Sequence, residues 1–157
     1  MHTTRRIGLA LTAALVLAGT LAIGVVTASG GRTFNLALSS AAEVPTPSDE
    51  ATGTAWLQIN PGLHQVCFAI TWDDVAGTVV ASHIHEAPAG TAGPIVVPLF
   101  MGAQVSDANG DGSASGCVTS DLSTAELAEI AAHASEYYVN VHSTVNPSGA
   151  IRAQLSH

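Results

Sequence analysis

The stretch Thr54-Ala55-Trp56-Leu57-Gln58-Ile59-Asn60-Pro61-Gly62-Leu63-His64-Gln65-Val66-Cys67-Phe68-Ala69-Ile70-Thr71-Trp72 decides the fold class. Its two arms, 54–60 and 65–72, are short, apolar-rich runs bounded by turn residues and read as strands. Pro61-Gly62 between them is turn chemistry, since proline presets one dihedral and glycine tolerates backbone angles that other residues resist. The arms are therefore predicted to pair as a hairpin. Working outward, Arg32 to Leu38 alternates apolar and polar residues as a half-buried strand does. Pro45 and Pro47 lack the N–H that a ladder needs, so Glu43 to Gly53 is predicted to be a loop. Asp73 to Gly77 reads as a turn, and Val79 to Ile84 as a strand that runs into His85. A loop with glycine and proline follows from Glu86 to Pro94, then a β-branched run from Ile95 to Phe100. Cys117 to Thr119 belongs to a later strand, Tyr137 to His142 forms another, and Ala150 to Leu155 follows the turn Asn146-Pro147-Ser148-Gly149.

One helix is predicted, over Ser123 to His133. Asp121 or Ser123 can cap it, Glu126 stands three residues after Ser123 as in a capping box, and Leu122, Leu127 and Ile130 supply an apolar stripe. Seven or eight short strands with a single helical excursion predict an all-β Greek-key sandwich or barrel. No internal repeat interrupts this reading.

The chain has 157 residues. Residues 1–31 are predicted to lie outside the fold. Arg5 and Arg6 form a positive start, Ile7 to Val26 is an uncharged apolar run, and Val26-Thr27-Ala28 offers small residues for cleavage after Ala28. The same run is long enough to serve instead as an uncleaved membrane anchor. Thr4-Arg5-Arg6 fits part of a twin-arginine export signal. The chain is thus expected to be secreted or extracytoplasmic. Residues 32–157 are of the size of one domain.

All twelve acidic residues fall in that domain, against Arg32 and Arg152 alone, which gives it a net charge of −10. Such a charge argues against nucleic acid and anionic membrane surfaces as partners, and is compatible with metal ions. Cys67 and Cys117 are the two cysteines, and export makes a disulfide between them the expectation, closing a loop of about 50 residues.

The histidines carry the chemistry. His83 and His85 alternate on one predicted strand, so both leave one face while Ile84 leaves the other. Their Cα atoms are then about 7 Å apart, close enough for two imidazoles to share an ion. Alternation also puts Val139 and Val141 on one face of a second strand, and Tyr138, Asn140 and His142 on the other. If the strands are neighbours, His83, His85 and His142 converge on the side away from the core. Three imidazoles suit copper or zinc, and leave a coordination position open. His64 reads as a solvated turn residue and His133 as a helix residue, while His2 and His157 lie at the two ends of the chain. Asp107-Ala108-Asn109-Gly110-Asp111-Gly112 reproduces half of a calcium loop, but Val118 stands where its bidentate acid belongs, so a turn is the reading preferred.

Four blocks carry a family resemblance: Ser82-His83-Ile84-His85, Gly93-Pro94-Ile95-Val96-Val97, Tyr138-Val139-Asn140-Val141-His142-Ser143, and Asn146 to Leu155. In order and spacing they resemble the CHRD domain, a module described in chordin and found in bacterial exported proteins, from about Thr33 to Leu155. Two departures are the pair Glu86-Ala87, where the family often has a glycine, and Ala150 in place of a common acid. A fainter similarity is to copper-zinc superoxide dismutases, which also use an H-x-H strand, a later V-H strand and an arginine near the C-terminus. That resemblance implies His83, His85 and His142 as copper ligands and Arg152 as an anion-guiding residue. Nothing in Glu86 to Asp121 matches the bridging histidine or the zinc ligands. Three functions follow as expectations: an exported metal-binding domain, a copper-only dismutase-like oxidoreductase, or an extracellular interaction module whose histidines bind no metal.

Overall fold

A computed structural model describes residues 31–104 and 109–156. Residues 1–30 of the predicted export segment, His157, and Asp107 and Ala108 of the calcium-like stretch lie outside the described residues. The described residues form eight strands: β1 (Arg32–Ser39), β2 (Thr52–Asn60), β3 (Gln65–Asp73), β4 (Val79–Glu86), β5 (Ile95–Met101), β6 (Gly112–Thr119), β7 (Tyr137–Ser143) and β8 (Ile151–Gln154). The helix α1 (Thr124–Ala132) joins β6 to β7.

The strands form one antiparallel sheet in the order β5-β4-β7-β8-β1-β2-β3-β6. The sheet curls until its two edge strands approach each other, and aromatic rings fill the seam. Phe100 of β5 stands 6.0 Å from Phe68 and 6.3 Å from Trp72, both on β3. The result is a nearly closed, barrel-like sheet. Around it β3, β6, β5 and β4 follow one another in Greek-key order. This is the all-β architecture the sequence predicts.

Alternation explains which face of each strand turns inward. Phe34, Leu36 and Leu38 of β1, Ala55, Leu57 and Ile59 of β2, and Val66, Phe68, Ile70 and Trp72 of β3 are all buried in the core. Their neighbours in sequence on β1 to β3 are mostly exposed. The predicted hairpin forms over its full length, with Asn60 opposite Gln65 and Thr52 opposite Asp73. Its turn is closed by the Asn60 side chain, which accepts from the Leu63 backbone N–H at 3.2 Å. The helix is capped as expected: the Glu126 N–H donates to Ser123 Oγ, and the Ser123 N–H to the Glu126 carboxylate. Leu127 and Ile130 press its apolar stripe into the core.

Two details differ from the sequence reading. β6 begins at Gly112, five residues before Cys117. The run Gly112-Ser113-Ala114-Ser115-Gly116 has poor strand propensity, yet β3 supplies it with a complete ladder, and context overrides propensity in sheets. Gly112 also fits where no side chain could, since a Cβ there would lie 2.7 Å from the Trp72 ring. His64 is not merely solvated: its Nδ1 is 3.0 Å from the Leu122 carbonyl and its Nε2 3.0 Å from Thr124 Oγ1, which ties the hairpin turn to the start of the helix.

β4, β7 and β8 depart from the half-buried pattern and are buried on both faces. Their inward residues Ile84, Val139, Val141 and Ile151 belong to the core. Their outward residues are covered by loops, and the site is built there.

Cys67 and Cys117 lie opposite each other on β3 and β6 and are joined as a disulfide across 50 residues of sequence. Closing a loop of that length restrains the denatured chain by about 4 kcal/mol. The Cys67→Ala/Cys117→Ala double variant should therefore lose up to about 4 kcal/mol in urea unfolding while keeping the histidine cluster, which β3 and β6 do not carry. A loss below about 1 kcal/mol would contradict that assignment of the stabilisation.

Candidate metal centre

β4 and β7 are neighbours, and their register fixes the site. Ala81 lies opposite His142, His83 opposite Asn140, and His85 opposite Tyr138. On the next strand Arg152 lies opposite Asn140 and Gln154 opposite Tyr138. Residues paired across antiparallel strands share a face, so His83, His85, Tyr138, Asn140, His142, Arg152 and Gln154 all leave the barrel on its outer side.

With the two strands neighbours, the condition the sequence left open, the three histidines converge. A potential ligand nitrogen from each lies within 4.8 Å of the others. Ring centroids are separated by 5.5 Å for His83–His85, 4.8 Å for His83–His142 and 5.8 Å for His85–His142. Two nitrogens bound to one tetrahedral ion at about 2.0–2.1 Å stand about 3.3 Å apart, so small ring rotations would close the triangle on an ion.

The remaining ring nitrogens show which atoms face inward. His85 Nδ1 is 2.9 Å from the Gly93 carbonyl and His142 Nδ1 is 3.1 Å from the Pro147 carbonyl. A carbonyl only accepts, so both Nδ1 atoms donate and both Nε2 atoms keep a free lone pair. His142 Nε2 lies 3.0 Å from His83 Nδ1, while His83 Nε2 lies 3.3 Å from Met101 Sδ. His83 thus has two neutral forms. With its proton on Nδ1 it donates to His142. With its proton on Nε2 it donates to the Met101 thioether, and its Nδ1 lone pair joins those of His85 and His142. The donor set for an ion is then His83 Nδ1, His85 Nε2 and His142 Nε2. Each partner nitrogen is anchored by an acceptor, the arrangement that orients metal-binding imidazoles.

The loops supply those acceptors. In the β4–β5 loop, Gly93 gives its carbonyl to His85, and its N–H donates to the Tyr138 hydroxyl at 3.2 Å. Only glycine fits there, because a Cβ would lie 1.9 Å from the Glu86 carbonyl oxygen. The loop is tied down by Arg152, which donates to the Thr91 and Pro88 carbonyls at 2.8 and 3.1 Å, and by Gln154, which donates to the Ala87 carbonyl at 2.8 Å. Arg152 is 2 % exposed, and its guanidinium sits 3.4 Å from the Tyr138 ring centroid. Tyr138 in turn stacks on His85, 4.8 Å between centroids and 6° from parallel.

Burial sets the protonation. His83 and His85 are 6 % and 7 % exposed. Desolvation, followed by the proximity of His142 and His85, lowers the His83 pKa to about 4. Burial likewise lowers His85 and His142 below the usual imidazole range. At neutral pH all three are uncharged, the form a metal requires. Glu43, from the β1–β2 loop, moves the opposite way: burial raises it to about 7, against the pull of Arg152.

The sequence reading brings together the three histidines but not their supports. Alternation places Tyr138 and Asn140 on this face without giving them a role, Gly93 stands in the sequence only as part of a family block, and Met101 and Glu43 give no signal, being remote in sequence. His133 is remote from the centre, 3.7 Å from Glu129 on the helix.

Residues 34–155 match the family described as the CHRD domain. No curated protein and no solved structure matches the chain significantly.

The depressed His83 pKa fixes the sign of a pH effect. The unfolded chain takes up a proton near pH 6.5 and the folded one only near 4, so His83 disfavours folding increasingly as pH falls from about 6.5 to about 4. Glu43 contributes with the opposite sign and is common to both proteins compared. In the metal-free state the stability of His83→Asn relative to the parent chain should therefore rise as pH falls through that window. Urea unfolding at pH 7, 6, 5 and 4 measures it, and a pH-independent difference would contradict the shift.

Proposed function

The chain belongs to the CHRD-domain family, and we propose that it is an exported member that binds one transition-metal ion, copper ahead of zinc, through His83, His85 and His142. What carries the reading is the His85 Nε2 atom. It is buried without a hydrogen-bond partner while Nδ1 of the same ring is held by Gly93. A buried polar atom without a partner costs about 1–3 kcal/mol, and a metal bond at that lone pair removes the penalty.

Three neutral imidazoles without a carboxylate suit copper or zinc, and at equal geometry the divalent first-row series favours copper. Three protein ligands leave a fourth position for water or a substrate. When bound, the ion would supply Lewis acidity or electron exchange at that position. The protein's own residues supply orientation: Gly93 and Pro147 fix two imidazole tautomers, and the loops exclude bulk water. Export is part of the proposal, supported by the leader-like residues 1–31 and by the disulfide, which oxidising compartments favour.

Arg152 bears on the dismutase-like alternative. With both terminal nitrogens donating to protein acceptors and its plane on Tyr138, it is placed to hold the loop and the His85–Tyr138 stack. Its position supports a positioning role, and the domain's charge of −10 does not attract anions from a distance.

Titration of the metal-free protein with copper(II), followed by absorption and by equilibrium competition with a chelator, should show one tight equivalent. His83→Ala and His142→Ala should each weaken it by at least about a hundredfold, or about 2.7 kcal/mol. Affinity unchanged in both variants would refute the reading.

A further inference from the structure

A second group of unsatisfied atoms lies beside the histidines. Asn140 is 1 % exposed, and neither its Oδ1 nor its Nδ2 has a hydrogen-bond partner. Oε1 of Glu43, a residue 4 % exposed, is likewise without one. Buried amides and carboxyls are ordinarily bonded, because leaving them bare forfeits their hydration for nothing. Two such side chains at one place are therefore informative.

Their placement is fixed by the fold. Asn140 lies opposite His83 on one side and Arg152 on the other, two residues before His142 on the same face of β7. The Asn140 amide lies close enough to the His85 imidazole and the Glu43 carboxyl to bias the protonation of both, without a well-formed hydrogen bond to either. Glu43 is seated on Gly149 of the β7–β8 loop, where a Cβ would come within 2.4 Å of its carboxyl carbon. No rearrangement of Glu43 in that direction is available to satisfy it. An asparagine amide offers two N–H donors and one acceptor. With neither end of the amide engaged, it can both donate to a guest and accept from one.

We infer that the Asn140 amide, backed by the buried Glu43 carboxyl, is the hydrogen-bonding wall of the open fourth position and holds there a small oxygen ligand of the size of water or hydroxide. This rests on the metal reading above and extends it: the three imidazoles bind the ion, and Asn140 binds what the ion binds. An oxygen ligand suits the wall because it both accepts from the amide N–H and, when protonated, donates to Oδ1. The unsatisfied atoms then represent stability given up for binding, as is common at functional sites.

The test uses the copper(II)-loaded protein and azide, a small anionic probe that enters an open copper position and is followed by its charge-transfer absorption. Asn140→Leu keeps the branched shape and the three imidazoles while removing both polar atoms of the amide. It should load copper, weaken azide binding at least tenfold, and leave the metal-free Tm equal to or above that of the parent, because two unsatisfied atoms are gone. Glu43→Ala should weaken azide at least threefold. If Asn140→Leu does not fold, Asn140→Ala replaces it, with at least fivefold weakening expected. Azide affinity within twofold of the parent in the copper-loaded Asn140 variant overturns the inference and leaves the metal reading intact. Failure of the parent chain itself to take up copper overturns both.

Discussion

The pairing of β4 with β7 is the constraint on which the rest depends. In that register Ile84 lies opposite Val139 on the inner face, and His83 lies opposite Asn140 on the outer one. A slip of β7 by one residue would turn Val139 and Val141 out and His142 in, away from His83 and His85. Both valines are fully buried, and exposing them would cost roughly 3–6 kcal/mol together, a large share of the folding free energy of a small domain. The core thus fixes the site's geometry without touching it. Hydrophobic burial on one side of the sheet becomes ligand convergence on the other.

Convergence alone would give three solvated histidines. The outer face of β4, β7 and β8 differs from that of β1 to β3 because loops close over it, and Arg152, Gln154 and His85 stitch the β4–β5 loop to the sheet. Enclosure removes water, which keeps the imidazoles neutral, and it brings backbone carbonyls to the outer ring nitrogens. The same enclosure leaves His85 Nε2 and the Asn140 amide without partners. Protein stability and ligand readiness therefore pull in opposite directions at this place, as they commonly do where a fold carries a site. The stack of His85 on Tyr138, with the Arg152 guanidinium on the tyrosine ring, gives that imidazole a rigid support.

Much of this is legible in the sequence, for identifiable reasons. Period-two alternation around Ile84 and around Val139 and Val141 assigns faces correctly because one face of each strand is core. The hairpin at Pro61-Gly62 and the capping box at Ser123 are local, and local signals survive folding. Less legible is whatever depends on distant chain. β6 is longer than its small residues suggest because β3 templates it. Met101, Gly93 and Glu43 reach the site through strand order and loop closure, which no spacing in the sequence encodes. The resemblance to dismutases points to Arg152 as an anion-guiding residue, whereas its burial and its loop-carbonyl partners emerge only from the three-dimensional packing.

The central claim is that a specific set of nitrogens was brought together to hold one ion. The most direct measurement is the location of the ion in crystals of the copper-loaded protein, by anomalous scattering at the copper edge. The structure predicts a single site with His83 Nδ1, His85 Nε2 and His142 Nε2 each about 2.0–2.1 Å from the metal, and the Gly93 and Pro147 carbonyls still bonded to the outer nitrogens. Copper seated instead between His83 Nε2 and Met101, or among the carboxylates around Tyr137, with the three inward nitrogens unliganded, would contradict it.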